Sequence, residues 1–516
     1  MASLWPVVQS LLPFVLLFLY IRLNDWRLTH IPKSALAVSP TRATPEDVRR
    51  TAVKLCKSPI SIADQIPPKT GRRYIVVGGA GFLGGWIVVQ LLERGEDPRR
   101  IRVLDIRAPV RHDLTTGRGK DVHFIQCDMS DAAAVNAAFS APWPEEHACG
   151  PVPPTTVFHT AANIRFYEKT ESLLPNSARV NVDGTKNILR AARDIGASIM
   201  IYTSSGSVSI RRTRFLLWPW EKEPRGFVQA INEDDALIPK RHDDFFSNYA
   251  VTKMEAERCV RAADKTRSGV GVLRTGCIRP GNGVFGPGGD MLCGAYLVRK
   301  VTPSWVDSIV QNFVYVENAA VAHLLYEQRL LELSAGSKTP DIGGQAFVIA
   351  DPGPPPTYGD VYLVLSTLMD GEVVFPFLSP TMMILISHLI EWYYLARALG
   401  YRLARTLPPL PGDIVNLQPS LFNLVNVHLI FDDSRARAPP ENGGLGYRGA
   451  WTTFEGLHKT VAEHKRGAMR SAQRSDVAGI GFGFGLGKAQ KGVGRVNAEV
   501  SEKIGGVDPA RVLGST

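Results

Sequence analysis

Residues Val77-Gly78-Gly79-Ala80-Gly81-Phe82-Leu83-Gly84 decide the fold of this chain. They follow a short β-branched run, Tyr74–Val77, and open an apolar helical run, Phe82–Arg94. The three spaced glycines therefore stand at a strand-to-helix turn. Gly78 allows a tight turn there, Gly81 lets backbone approach a pyrophosphate, and Gly84 permits close packing of helix on strand. The helix N-terminus at Phe82 and Leu83 then turns its dipole toward phosphate.

Outward from this turn the pattern repeats. Strands are expected at Ile101–Leu104, His123–Ile125, Thr156–His159, Ile199–Tyr202 and Val270–Leu273, with helices between them such as Thr185–Ile195. Gly95 and Gly196 stop two of the helices. Short apolar strands alternating with helices imply an α/β fold, a doubly wound parallel sheet of Rossmann type covered on both faces. Asp105 ends the second strand, 21 residues after Gly84. A carboxylate there accepts hydrogen bonds from the adenosine ribose hydroxyls and repels a 2′-phosphate, favouring NAD, although Arg107 keeps NADP open. Asp128 and Met129 end the third strand region, where they either flank an adenine or, for Asp128, serve a surface turn.

Two further features carry chemistry. Tyr249 and Lys253 are four residues apart, so on a helix the phenol and the ammonium project from one face. A tyrosine near pKa ~10 is a poor base. A neighbouring lysine and a positive nicotinamide ring favour its phenolate, which makes proton abstraction from an alcohol feasible. The fifth strand runs into Thr203-Ser204-Ser205, and a hydroxyl at that carboxyl end, Ser205 above all, is placed to hold a reacting oxygen.

Composition narrows the classes. The net charge is +10, but from Lys465 onward nine Lys and Arg face four Asp and Glu, so half of the excess lies in a Gly-rich tail. No basic run, zinc spacing or RNA-binding aromatic signature accompanies it, so no nucleic acid and no metal is expected. Six scattered cysteines form no disulfide framework and fit a reducing compartment. Leu4 to Ile21 carries no charge and is followed by Arg22, Arg27 and Lys33. This reads as a transmembrane anchor (1–22) rather than a cleaved signal, with the bulk of the chain cytosolic. The expected divisions are then a Pro-containing linker (23–70), the dinucleotide-binding domain (71–285), a smaller C-terminal substrate domain (286–465), and a disordered basic tail (466–516). Within the third of these, 380–400 is an apolar helix that is interfacial or core, because Glu391 argues against a lipid-exposed span.

The motifs occur together in the order of the extended short-chain dehydrogenases: the glycine turn, Val157–Ala162, Asn181–Thr185, Thr203–Ser205 and Tyr249 with Lys253. The stretches Ile278–Gly288 (IRPGNGVFGPG) and Asn312–His323 (NFVYVENAAVAH) then resemble the 3β-hydroxysteroid dehydrogenase family, including its sterol-4α-carboxylate 3-dehydrogenases. The likeness spans roughly residues 72 to 465. It implies Tyr249 as general acid/base, Lys253 on the nicotinamide ribose and lowering the phenol, Ser205 on the substrate oxygen, and Asn181 supporting the helix or a relay water. Ala161 and Pro280 would line the cofactor pocket. The implied reaction is oxidation of the 3β-hydroxyl of a sterol. With a 4α-carboxysterol the product is a β-keto acid that can lose carbon dioxide, and Arg165 or Arg279 is a candidate for its carboxylate. The implied setting is the endoplasmic reticulum membrane, with a homodimer left open. Alternatives are another steroid, triterpenoid or lipid alcohol as substrate, and a scaffold that senses NAD(H) without turnover. The chain departs from the family at Val77, where a hydroxyl residue is usual, and in an insertion around Arg211–Arg225 (RRTRFLLWPWEKEPR).

Overall fold

Seven strands lie side by side, and central ones such as Tyr74–Val77 and Ile199–Tyr202 are apolar along their length and buried, which requires cover on both faces. They are β1 (Arg73–Val77), β2 (Ile101–Asp105), β3 (His123–Gln126), β4 (Thr155–His159), β5 (Ile199–Thr203), β6 (Gly271–Pro280) and β7 (Ala346–Ile349). All neighbours among them are parallel, in the order β7-β6-β5-β4-β1-β2-β3. The computed structural model describes residues 5–144, 152–400 and 406–467. One face of the sheet is covered by the helices Phe82–Glu93 and Val316–Ser334, the other by Thr185–Asp194 and Asn248–Ala262. Gly95 and Gly196 follow their helices with φ of +90° and +74°, the left-handed step expected of helix-ending glycines. The strand order reverses between β1 and β4, which opens a crevice at their carboxyl ends.

Several expectations are corrected. The sixth strand does not end at Leu273: it runs to Pro280, and the part beside β5 is Arg274–Ile278. The β-branched start that suggested it, Val270 to Leu273, belongs mainly to a short hairpin with Thr266–Ser268, and Val270 and Val272 are exposed. The paired part reads as weakly apolar because the Tyr326 ring packs against Gly276, where a side chain would collide. Nor does the sheet stop at residue 285, where the dinucleotide-binding domain was expected to end. β7 lies 61 residues later and pairs with β6, with Phe347 opposite Ile278.

The segment 23–70 is no free linker. It holds the helices Lys33–Val38 and Pro45–Lys57, the second opened by a capping box between Thr44 and Asp47. Val48 enters the main core, and Arg42 pairs with Asp360 at 2.7 Å. The N-terminal helix passes the expected boundary at 22 and runs Trp5–Thr29. Its side chains from Gln9 to Leu19 are exposed, while Asn24 and Asp25 are buried. Among the described residues no helix is long and apolar enough to cross a membrane. The 380–400 segment forms the helix Pro380–Ala398, buried at Met383, Ile384 and Ser387 and exposed at Leu389 and Trp392. The basic tail lies outside the described residues from 468 onward.

Candidate active site

The glycine turn has the geometry its spacing implies. Gly78 sits at φ +83°, and a Cβ there would stand 2.7 Å from the Ala161 amide; one at Gly84 would stand 2.2 Å from the Gly78 carbonyl. Both positions are fixed by protein packing. Among the described residues, and apart from its chain neighbours, a Cβ at Gly81 would meet only the Gly78 carbonyl, at 3.1 Å, so space outside that turn is open. Asp105 reaches back to the same turn and accepts the Ala80 N–H at 3.1 Å. Burial raises its carboxyl, while amide donors including Arg107 and Ala80 oppose that rise. A pyrophosphate at the open side of Gly81, with ribose hydroxyls at Asp105, fits these residues. Phe82 and Leu83 start the helix beside it.

The third-strand pair behaves differently. Asp128 is exposed and its carboxylate accepts the Ser130 amide at 2.9 Å, closing its own turn. Met129 is buried, and its thioether lies where a Cβ on Gly184 would have to go.

Across the crevice, β5 delivers Ser205 and the helix Asn248–Ala262 delivers Tyr249 and Lys253. That helix begins where Ser247 caps it with a hydrogen bond from the Ala250 amide. Ser205 hydrogen-bonds Ser207 Oγ at 2.7 Å and lies close enough to the Tyr249 phenol to lower it. Burial wins, and the phenol is pushed up to about 12. Lys253 is not what opposes that rise. It is fully buried, its Nζ donates to the Thr203 carbonyl at 2.5 Å and lies 4.2 Å over the Tyr202 ring, and burial brings it down to about 7. Asn181 is buried in a π-helical turn, Arg179–Gly184. Its amide donates to the Asn163 carbonyl and to Thr252 Oγ1 and accepts the Asn163 N–H, so it ties the loop after β4 to the tyrosine helix and no donor is left for a relay water. Pro280 ends β6 beside Gly206.

Some participants escaped the sequence reading. Glu257, one turn beyond Lys253, accepts from Ser204 Oγ at 2.6 Å and from Arg279 at 2.6 and 2.9 Å. Its i, i+4 spacing from Lys253 was a usable signal. Arg279 is fully buried in that pair, so it cannot meet a substrate carboxylate. Arg165 is also engaged: it holds Glu168 through two nitrogens at 3.0 and 2.5 Å, and one of these also reaches Tyr394 at 3.1 Å. Tyr394 donates to Glu168 Oε1 at 2.5 Å, and the Glu168 carbonyl accepts the amide of Asn248, the residue before Tyr249. Nothing in the sequence links positions 165 and 394.

A glycine turn at a switch point, faced by a serine, a tyrosine and a lysine at the next strand end, defines a nicotinamide-dependent oxidoreductase of the extended short-chain kind. The profile of the 3-beta hydroxysteroid dehydrogenase/isomerase family matches residues 75–373, more than half of the chain. The chain belongs to that family. It is similar to the 3beta-hydroxysteroid-dehydrogenase/decarboxylase isoforms of Arabidopsis thaliana. Isoform 2 is 28% identical over 76% of this chain and 62% of its own length, and isoform 1 is 28% identical over 76% and 80%. It is also 28% identical, over 54% of this chain and 70% of the relative, to the decarboxylating sterol-4-alpha-carboxylate 3-dehydrogenase of Candida albicans. Among solved structures it resembles a Thermotoga maritima UDP-glucose 4-epimerase, with a TM-score of 0.49 and 18% identity over 77% of this chain and all of that one.

Proposed function

We propose that this protein oxidises the 3β-hydroxyl of a sterol or steroid with NAD⁺, and that a 4α-carboxysterol, decarboxylated after oxidation, is its substrate. The observation that carries the reading is the convergence of Ser205, Tyr249 and Lys253 opposite the glycine turn, within a family of hydroxysteroid dehydrogenases. The cofactor, when bound, supplies the hydride acceptor and a positive ring near the phenol. Ser205 orients the substrate hydroxyl. The Tyr249 oxygen takes its proton as the C3 carbon becomes a carbonyl. Lys253, buried and already turned to the β5 end, holds the ribose side of the cofactor. Asp105 favours NAD by accepting ribose hydroxyls. A C3 ketone next to a C4 carboxylate is a β-keto acid, which breaks its C4–carboxyl bond and leaves an enol that takes a proton. The carboxysterol reading draws its support from the relatives, since Arg279 is enclosed and Arg165 is held by Glu168.

The same proposal places the protein at the endoplasmic reticulum membrane, attached by the Trp5–Thr29 helix with the catalytic part facing the cytosol. Its exposed stretch from Gln9 to Leu19 rises about 16 Å at ~1.5 Å per residue, and Arg22 and Arg27 follow it. The test uses the detergent-solubilised full chain with NAD⁺ and matched 3β-hydroxysterols bearing or lacking a 4α-carboxyl. Reduced cofactor and carbon dioxide together, from the carboxysterol alone, are expected. Turnover of the plain sterol without carbon dioxide would move the protein to the broader hydroxysteroid dehydrogenases. Tight NAD⁺ binding with no turnover on either would favour a sensor.

A further inference from the structure

The insertion Arg211–Arg225 is built in two halves. Phe215 is buried in the main core and Leu217 is buried beside it in the chain, while Trp218 and Trp220 turn outward, 58% and 75% exposed. Their rings lie parallel, 5.4 Å apart. The outward turn is braced. Glu221 accepts the Trp218 amide at 2.7 Å and is gripped by Arg214, and Arg27 of the N-terminal helix donates to the Trp218 and Pro219 carbonyls at 3.0 and 2.6 Å. Asn24, three residues before, clasps both sides of this join. It donates to the Phe215 carbonyl at 3.1 Å and to Thr381 Oγ1 at 2.8 Å. The foot of the N-terminal helix thus fastens the insertion to the start of the helix Pro380–Ala398.

That second helix repeats the display. Met382, Leu385, Leu389 and Trp392 follow i, +3, +4, +3 spacing, fall on one face, and are exposed, Trp392 by 73%. Braced tryptophans and leucines facing water are costly unless something covers them. The charge around them says what covers them. Arg211–Arg225 holds five Lys and Arg against Glu221 and Glu223, and Arg214 is the one paired with Glu221. Arg211, Arg212, Lys222 and Arg225 are exposed along the insertion that carries the tryptophan pair, and Arg22 is exposed on the helix whose Arg27 braces it. Amphipathic aromatic rings among cations match the headgroup layer of an anionic bilayer.

We propose that the Trp218–Trp220 turn and the Met382–Trp392 face form a docking platform for an anionic phospholipid surface, and that this platform presents the catalytic crevice to lipid-dissolved substrate. Two residues past Trp392, and about 200° around the same helix, Tyr394 points inward to Glu168, whose carbonyl holds Asn248 beside Tyr249. One helix therefore carries the platform on its outer side and a tie to the catalytic tyrosine on its inner side. The docking step rests on exposed residues alone, whereas the delivery step rests on the sterol-oxidising reading.

The experiment compares the full chain with W218S/W220S/W392S in vesicles of phosphatidylcholine with or without phosphatidylserine, some made with brominated acyl chains. In the full chain, brominated lipid should quench a part of the tryptophan emission that the triple variant lacks, and phosphatidylserine should increase it. The variant should show a severalfold higher KM for a vesicle-borne 3β-hydroxysterol and an unchanged kcat on a water-soluble 3β-hydroxysteroid without membrane, which also proves that it folds. Equal quenching losses in both proteins, with equal KM, would overturn the platform. Quenching that is absent, together with dimerisation of the full chain but not of the variant in light scattering, would overturn it in favour of a contact between two copies. If no sterol is turned over but the quenching difference holds, the docking stands and the substrate reading fails.

Discussion

The glycine turn at Gly78–Gly84 and the helix Pro380–Ala398 are both rich in apolar residues, yet they are held in opposite ways. The turn closes on its own chain neighbourhood and on the strands beside it: Gly78 N–H donates to Leu104, and Thr160 and Ala161 donate to Val77. The helix is fixed by groups far away in sequence. Thr381 meets Asn24 across 357 positions and Asp25 across 356, and Tyr394 meets Glu168 across 226. The first region follows from local spacing on a parallel ladder. The second exists only once the whole chain has closed.

Tyr249→Phe should have the largest effect. Loss of the phenolic oxygen removes the proton acceptor and should lower kcat about a thousandfold, within the ~10²–10⁴ range of general acid–base groups, with KM little changed in steady-state turnover of a 3β-hydroxysterol. A fall of less than tenfold would detach the chemistry from the crevice.

Glu257→Gln tests the support beneath it. It removes the charge closest to buried Arg279 and leaves it only the longer contact with Asp235 at 3.5 Å, which should cost about 3–5 kcal/mol in denaturant unfolding. Replacing both residues by apolar ones of similar volume should recover much of that loss. Gly84→Ala forces a methyl against the Gly78 carbonyl and should cost about 1–3 kcal/mol, with weaker NAD⁺ binding in titration calorimetry.

Tyr394→Phe probes the distant tie and should be milder. It deletes the hydrogen bond donated to Glu168 and the one accepted from Arg165, together about 1.5–3 kcal/mol, and should raise the sterol KM more than the NAD⁺ KM. Equal changes in both would mean that the helix does not belong to the substrate side.

The smallest effects are in the pH dependence of stability, where two buried groups, Lys253 and Asp351, should pull in opposite directions. Lys253 is lowered from 10.5 to about 7 by burial, so between those values the unfolded chain binds the extra proton and stability rises with pH. Asp351 is raised by burial from 3.8 to about 7 although it accepts from Tyr315 N, Asn318 and Thr453. Between pH 4 and 7 the folded chain holds the extra proton there, so that contribution is lost as pH rises. In thermal melts without cofactor, Lys253→Met should flatten the slope above pH 7 and Asp351→Asn the slope below it.

Much of the site was legible because its parts are short and local. The Gly78–Gly84 spacing, the acid at the end of β2, and the one-turn separation of Tyr249 and Lys253 are each set within a single strand, turn or helix. Misreadings arose where a local signal competed with packing. Val270–Leu273 had the stronger strand composition, but the sheet took Arg274–Ile278, where Gly276 leaves room for the Tyr326 ring. Arg279 looked like a free cation because a sequence does not show that Glu257 lies opposite.

By itself the sequence determined a dinucleotide fold, its glycine turn and the serine, tyrosine and lysine of the crevice, since backbone periodicity and dihedral demands act over a few residues. Only the tertiary structure decided that β7 completes the sheet, that Arg279 is enclosed, that 23–70 is built into the body, and that Tyr394 reaches Glu168. Those outcomes depend on which distant groups become neighbours, and burial then sets whether a charge is paired, shifted or left facing solvent.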